Sequence, residues 1–194
     1  MQTWSGGRFF PMDPNPDDIN PDDIAHALGM LCRYNGHVDQ FYSVAEHCLH
    51  LSYMVSPENA LWALLHDATE AYVGDMIRPL KQHMPDYVAA ENRVMWAICD
   101  KYGLDRKMPA QVREYDTRIL LNERERFITR APGGDWGNDD LEPLPGLGFF
   151  AYGPADAART WLRRLEHLTG VNRQDVYGED DLAFTTAHHL KGNR

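Results

Sequence analysis

The stretch Leu61 to Asp75, LWALLHDATEAYVGD, decides how the rest of the chain is read. Its apolar residues and alanines recur at helical spacing, yet it sets His66 and Asp67 side by side in the middle, adds Glu70 three residues later and ends on Asp75. Leu64, Leu65 and Ala68 imply that this helix is covered, and buried charge has to be compensated. We read the doublet as part of a metal site. A helix buried on this scale needs other helices around it.

Working outward, the same periodicity repeats. Ser43 can cap a helix with Glu46 as its capping-box partner, and Val44, Cys48, Leu51 and Val55 mark the buried face before Ser56-Pro57 ends it. Pro57 then opens the helix that runs to about Tyr72. Upstream, Asn20-Pro21-Asp22-Asp23 supplies a cap, a first-turn proline and acids at the positive end of the dipole. The helix predicted from there, Pro21 to Tyr34, carries Ile24, Ala27, Leu28 and Leu31 on one side and stops at Asn35-Gly36. Met1 to Asp23, rich in Gly, Pro and Asp, reads as extended, with a short strand at Arg8 to Phe10.

Downstream, Gly74 and Pro79 interrupt the pattern. Helices are predicted from Pro85 to Tyr102 (Val88, Val94, Met95, Ile98 and Tyr102 inward), Pro109 to Arg130 (Val112, Ile119, Leu120 and Phe127 inward) and Pro154 to Thr169 (Ala158, Trp161, Leu162 and Leu165 inward). Ala131 to Gly153 is dense in Gly, Pro and Asp and reads as a long loop or flap. The expectation is an all-α helical bundle: one domain over 1–170, with the Gly/Pro-rich loop before the C-terminal helix, and a polar tail over 171–194.

Composition limits what such a bundle can do. The 194 residues, 43% of them hydrophobic, suffice for one core, and a formal net charge of -10 opposes stable attachment to nucleic acid or to an anionic membrane surface. No apolar run reaches the length of a membrane span, and MQTWSGGRFF lacks the regions of a signal peptide, so a cytoplasmic protein is expected. Cys32, Cys48 and Cys99 are odd in number and far apart, which suits reduced thiols better than a disulfide framework.

Four candidate ligands fall on three predicted helices: His47, the His66-Asp67 doublet and Asp116. Imidazole and carboxylate together suit divalent transition metals, and four protein ligands on an ion that accepts six leave room for water and substrate. Taken alone, His47 would more often be a satisfied core histidine, and Asp116 a cap or surface acid. The doublet inside LLHDATE is harder to dismiss.

The order His47, His66-Asp67, Asp116, in the contexts SVAEHC, LLHDATEAYVGDMIRPLK and EYDTRIL, resembles the H…HD…D pattern of the HD-domain metal-dependent phosphohydrolases. Within that superfamily it is most similar to the subgroup of bacterial 5′-deoxynucleotidases and phage deoxynucleotide triphosphohydrolases. The likeness spans about Ile24 to Arg130, and the opening RFFPMDPNPDDI also looks like theirs.

The resemblance implies an all-helical fold, a divalent metal (Co, Mn, Fe, Zn or Mg) on His47, His66, Asp67 and Asp116, and a homo-oligomer. It implies that Glu70 activates or orients the attacking water, and that Asp75 lies near the sugar and scissile phosphate. Arg33-Tyr34 matches an arginine-aromatic pair lining the nucleotide pocket, although the aromatic there is often tryptophan. Lys81, following Arg78-Pro79-Leu80, matches a lysine suited to the phosphate, with Arg78 and Arg33 beside it. The implied activity is hydrolysis of a deoxynucleotide, either a monophosphate or a triphosphate such as dATP. A non-catalytic helical module sensing a nucleotide and a cyclic-nucleotide phosphodiesterase are the alternatives. His37 reads as a loop residue, His26 and His50 as packing or surface groups, and His188-His189 as part of the tail.

Overall fold

Asn20 accepts the amide of Asp22 through its side chain, Pro21 follows at the first helical position, and α1 (Pro21–Met30) begins as the sequence predicts. It ends four residues early because Leu31 turns extended and its carbonyl accepts the amide of Val44 instead of continuing the helix. The coordinates are a computed structural model that describes residues 1–128 and 140–171. The remaining helices are α2 (Val44–Met54), α3 (Ala60–Leu65), α4 (Glu70–Val73), α5 (Arg78–Lys81), α6 (Pro85–Tyr102), α7 (Ala110–Phe127) and α8 (Pro154–Thr169). The fold is all-α. No strand forms among the described residues, and the strand expected at Arg8 to Phe10 reduces to an isolated bridge between Gln2 and Arg8. No helix among the described residues is long and apolar enough to cross a membrane.

The helix predicted from Pro57 to Tyr72 is divided. A 3-10 turn over Pro57–Asn59 leads into α3, and between α3 and α4 the chain winds tighter: the amides of Ala68 and Glu70 reach back three residues to Leu65 and Asp67, each at 3.0 Å. Such tightening inside a helical run is common at functional sites, and here it falls on the His66-Asp67 doublet. Gly74, at φ 83, ends α4 in a conformation a side chain would resist. The short helix α5 follows where the sequence suggested only an interruption, because Pro79 sits in its first turn, where a missing amide costs nothing.

Between α1 and α2 the chain makes a left-handed turn, with Tyr34 at φ 56, Asn35 at φ 51 and Gly36 at φ 78. Two non-glycine residues in that region cost on the order of 1–2 kcal/mol each, so their surroundings must hold them there.

The core joins α1, α2, α3, α6 and α8 through Ile24, Leu28, Val44, Cys48, Leu64, Leu65, Val94, Ile98, Trp161 and Leu165. Burying each large aliphatic side chain contributes about 1.5–3 kcal/mol, which makes this face of each helix the reason the bundle closes. A smaller cluster of Leu51, Val55, Ala60, Trp62, Cys99 and Val112 brings α7 against it. Of the residues predicted inward, Val88, Met95, Tyr102, Leu120, Ala158 and Leu162 are only half-buried. Helices α1 and α8 approach so closely at Gly29 that a Cβ there would lie 2.6 Å from the carbonyl oxygen of Pro154. The indole N–H of Trp161 donates to the carbonyl of Leu64 at 3.2 Å, tying α8 to the helix that ends at the doublet. All three cysteines are free thiols, as expected.

The described part of the Gly/Pro-rich segment, 140–153, is a strap tied at both ends rather than a flap. Asn122 of α7 exchanges two hydrogen bonds with the backbone of Leu144, at 3.0 and 2.8 Å. At the far end, the buried Glu46 carboxylate accepts the amides of Phe150, Ala151 and Tyr152 at 2.9, 2.9 and 2.8 Å. The predicted capping box is therefore half made: Ser43 Oγ accepts the Glu46 amide at 3.1 Å, while the Glu46 side chain turns to the strap. Apart from Val171, the tail expected over 171–194 lies outside the described residues, as do His188-His189.

Candidate metal centre

Two helices, α2 and α7, and the turn between α3 and α4 bring four candidate donors together. His47, fully buried on α2, and His66, at the end of α3, bring their Nε2 atoms to 3.2 Å from each other. Asp67 Oδ2 lies 3.1 Å from His66 Nε2 and 3.7 Å from His47 Nε2. Asp116 Oδ1, from α7, lies 3.1 Å from His47 Nε2 and 3.6 Å from His66 Nε2. The donor atoms of His47, His66 and Asp67 all fall within 4.8 Å of one another.

The far side of each imidazole fixes which nitrogen faces inward. His66 Nδ1 lies 2.7 Å from the carbonyl oxygen of Ala63, which can only accept, so this nitrogen carries a proton. His47 Nδ1 lies 2.6 Å from Oε1 of the buried Glu123 and donates to it. When the rings are neutral, two Nε2 lone pairs therefore point at each other across 3.2 Å with two carboxylates alongside. Of these four groups, His47, His66 and Asp67 form a set that could hold a metal ion, with Asp116 alongside.

The spacing suits one. Neighbouring ligands at about 2.1 Å from a tetrahedral or octahedral ion stand roughly 3.0–3.4 Å apart. The observed separations run from 3.1 to 3.7 Å. Without an ion, protons fill the role. Burial works against charging His47 and His66, but the surrounding carboxylates outweigh it and hold both above the ordinary histidine range. Burial also opposes the ionisation of Asp116, yet hydrogen bonds from both histidines hold it well below the usual carboxylate range.

Glu70 stands beside this set at the start of α4. Its Oε2 is buried and lacks a hydrogen-bond partner among the described residues. Burial first, then the charges of Asp67 and Asp75, push its carboxyl up to about 10. Asp75 is half-buried and raised by burial, with the positive charge of Arg33 opposing the shift. An unpartnered carboxyl oxygen beside a ligand cluster is placed to take or give a proton.

The expected substrate-binding residues divide. Arg33 and Tyr34 reach the centre, but their polar ends turn to Glu123: Arg33 Nη2 donates to Oε2 at 3.0 Å and the Tyr34 hydroxyl donates to the same oxygen at 2.5 Å. Arg33 Nη1 is 3.7 Å from Asp67 Oδ2, so its guanidinium also offsets the Asp67 charge. Lys81 pairs with Glu91 at 2.6 Å, and its charge also acts on Asp75. Arg78 is exposed at the start of α5. Of the histidines left out of the site, His50 bonds Glu46 at 3.2 Å and packs on Phe149, His26 stacks on Trp4, and His37 is exposed.

Glu123 is the residue that sequence reasoning missed. Fully buried, it gathers Arg33, Tyr34, the Tyr42 hydroxyl at 2.9 Å and His47. Burial alone would raise its carboxyl, but the charges of Arg33 and His47 outweigh that and hold it at about 2. The signal was present: Val112, Asp116, Ile119, Glu123 and Phe127 follow one another at intervals of three and four, placing both acids on the inward stripe of α7.

The chain is 37% identical over 176 residues to an uncharacterized protein of Escherichia coli (strain K12), an alignment covering 89% of this chain and 97% of that relative. It is 40% identical over 119 residues to an uncharacterized protein of Rhodobacter capsulatus, covering 56% of this chain and 61% of the relative. No family model matches the chain.

Proposed function

We propose that this chain, which belongs to the family that includes the uncharacterized Escherichia coli protein YfdR, is a metal-dependent phosphohydrolase acting on deoxynucleotides. The observation that carries the reading is the pair of inward-facing Nε2 atoms of His47 and His66, 3.2 Å apart between Asp67 and Asp116, with the unpartnered Glu70 oxygen beside them. His47, His66, Asp67 and Asp116 would hold a divalent ion such as Mn, Co, Fe, Zn or Mg. When bound, the ion supplies Lewis acidity toward a phosphoryl oxygen and makes a neighbouring water more acidic.

With an ion's positive charge offsetting those of Asp67 and Asp75, Glu70 would be ionised and would take the proton of the attacking water, whose oxygen forms the new bond to phosphorus as the bond to the 5′ oxygen breaks. The 5′ oxygen leaves on the deoxynucleoside and takes up a proton. Asp75 orients the sugar, and Lys81 and Arg78, at the rim, offset phosphate charge. Arg33 keeps Asp67 and Glu123 charged. A module that only sensed nucleotides would have no use for a buried, unpartnered carboxyl beside its ligands.

The test is a screen of deoxynucleoside mono- and triphosphates and cyclic nucleotides against Mn²⁺, Co²⁺, Fe²⁺, Zn²⁺ and Mg²⁺. Tripolyphosphate released from dATP assigns a triphosphohydrolase, whereas phosphate released from dAMP alone assigns a monophosphatase. Metal binding without turnover on any of them favours the sensor. Hydrolysis that survives His66→Ala and Asp67→Ala would overturn the proposed centre. Light scattering on the purified chain tests the homo-oligomer that the family resemblance implies.

A further inference from the structure

We infer that Glu123 is the positioning residue of the metal centre, holding His47 and Asp67 in register from behind. This rests on the metal centre proposed above. Its two oxygens divide the work: Oε1 accepts His47 Nδ1 at 2.6 Å and the Tyr42 hydroxyl at 2.9 Å, while Oε2 accepts Arg33 at 3.0 Å and Tyr34 at 2.5 Å. One carboxylate therefore fixes the proton of His47 on Nδ1, leaving Nε2 to face the ion, and turns Arg33 so that Nη1 stands 3.7 Å from Asp67 Oδ2. One ligand from α2 and one from the turn after α3 are thus oriented by one residue of α7, the helix that also supplies Asp116.

The left-handed turn belongs to the same device. Tyr34, at φ 56, places its hydroxyl on Glu123, and the strain of that backbone is held by the bonds that converge there. Glu123 is fully buried, and the ring of its partner Tyr42 lies on Phe127 with ring centres 4.3 Å apart, while Phe149 of the strap meets both edge-on at 5.5 and 5.1 Å. A group that served only as a structural ion partner for Arg33 would not need His47 on its other oxygen.

The test uses the full-length chain and Mn²⁺. Isothermal titration of E123Q should show affinity for Mn²⁺ reduced about 10- to 100-fold relative to the unaltered chain. A purely structural ion pair predicts instead a lower melting temperature of metal-free E123Q with unchanged Mn²⁺ affinity, and that result would overturn the inference. A second measurement needs no variant. In ¹⁵N-histidine spectra of the unaltered chain loaded with Zn²⁺, His47 should carry its proton on Nδ1, and a proton on Nε2 overturns the assignment. Should the unaltered chain bind neither ion, the metal centre itself is overturned and the inference falls with it.

Discussion

Glu46 and Tyr152 stand 106 positions apart in the chain, yet the Glu46 carboxylate accepts the Tyr152 amide at 2.8 Å. The same carboxylate takes the amides of Phe150 and Ala151, so one fully buried side chain pins three consecutive backbone donors. Glu46→Ala leaves those donors without their charged acceptor. The expected loss is about 3 kcal/mol, at the level of a broken buried network and not a surface change. Urea unfolding checks it, and a loss below about 1 kcal/mol would mean that the strap does not depend on this residue.

Metal should stabilise the fold. An ion that binds only the folded chain adds about 2.7 kcal/mol at a free concentration one hundred times its dissociation constant. Melting temperature should therefore rise with added Mn²⁺ or Co²⁺ and return on chelation. In His66→Ala the rise should vanish, because the ring that faces both His47 and Asp116 is gone. A shift of equal size in that variant would place the ion elsewhere.

Acidity should separate two buried carboxyls of the metal-free protein. Glu70 titrates at about 10 against an ordinary 4.5, so the stability it contributes is full below about 4.5 and is lost as pH rises toward 10. Glu123, held at about 2, behaves oppositely: its contribution is present above about 4.5 and is lost as pH falls toward 2. Between pH 5 and 9, Glu70→Gln should therefore gain on the unaltered chain by up to roughly 1.4 kcal/mol per pH unit. Unfolding free energies measured in chelator across that range decide it, and a difference that does not grow with pH counts against the buried acid.

Gly29→Ala tests the contact between α1 and α8. The added carbon would sit 2.6 Å from the Pro154 carbonyl oxygen and 3.1 Å from Ala158 Cβ, so one helix must move. Overpacking of this kind costs about 1–3 kcal/mol. A melting temperature equal to that of the unaltered chain would show the two helices to be less tightly held than their spacing indicates.

The elements that were legible in the sequence share a cause: each is written in local chemistry. Caps at Asn20 and Ser43, and apolar spacing along α6 and α8, report on neighbours three and four residues away. What was hidden depends on partners far along the chain. Glu46 looked like half of a capping box because its true acceptor role needs residues 150–152. Glu123 looked like one acid in the charged run NERERF, although its place on the inward stripe of α7 set it apart from Glu125. Arg33 and Tyr34 were sought at a pocket wall because nothing near them in sequence announces the carboxylate they meet 90 and 89 residues later.

Trp161 gives the molecule its own optical gauge. Its indole is sealed from water and bonded to the Leu64 carbonyl, two positions before His66, whereas Trp4 and Trp96 are 47% and 43% exposed. Emission from this ring should lie to the blue of theirs and escape aqueous quenchers. Any shift of the backbone beneath the doublet then reaches a chromophore in direct contact with it, without a label being attached.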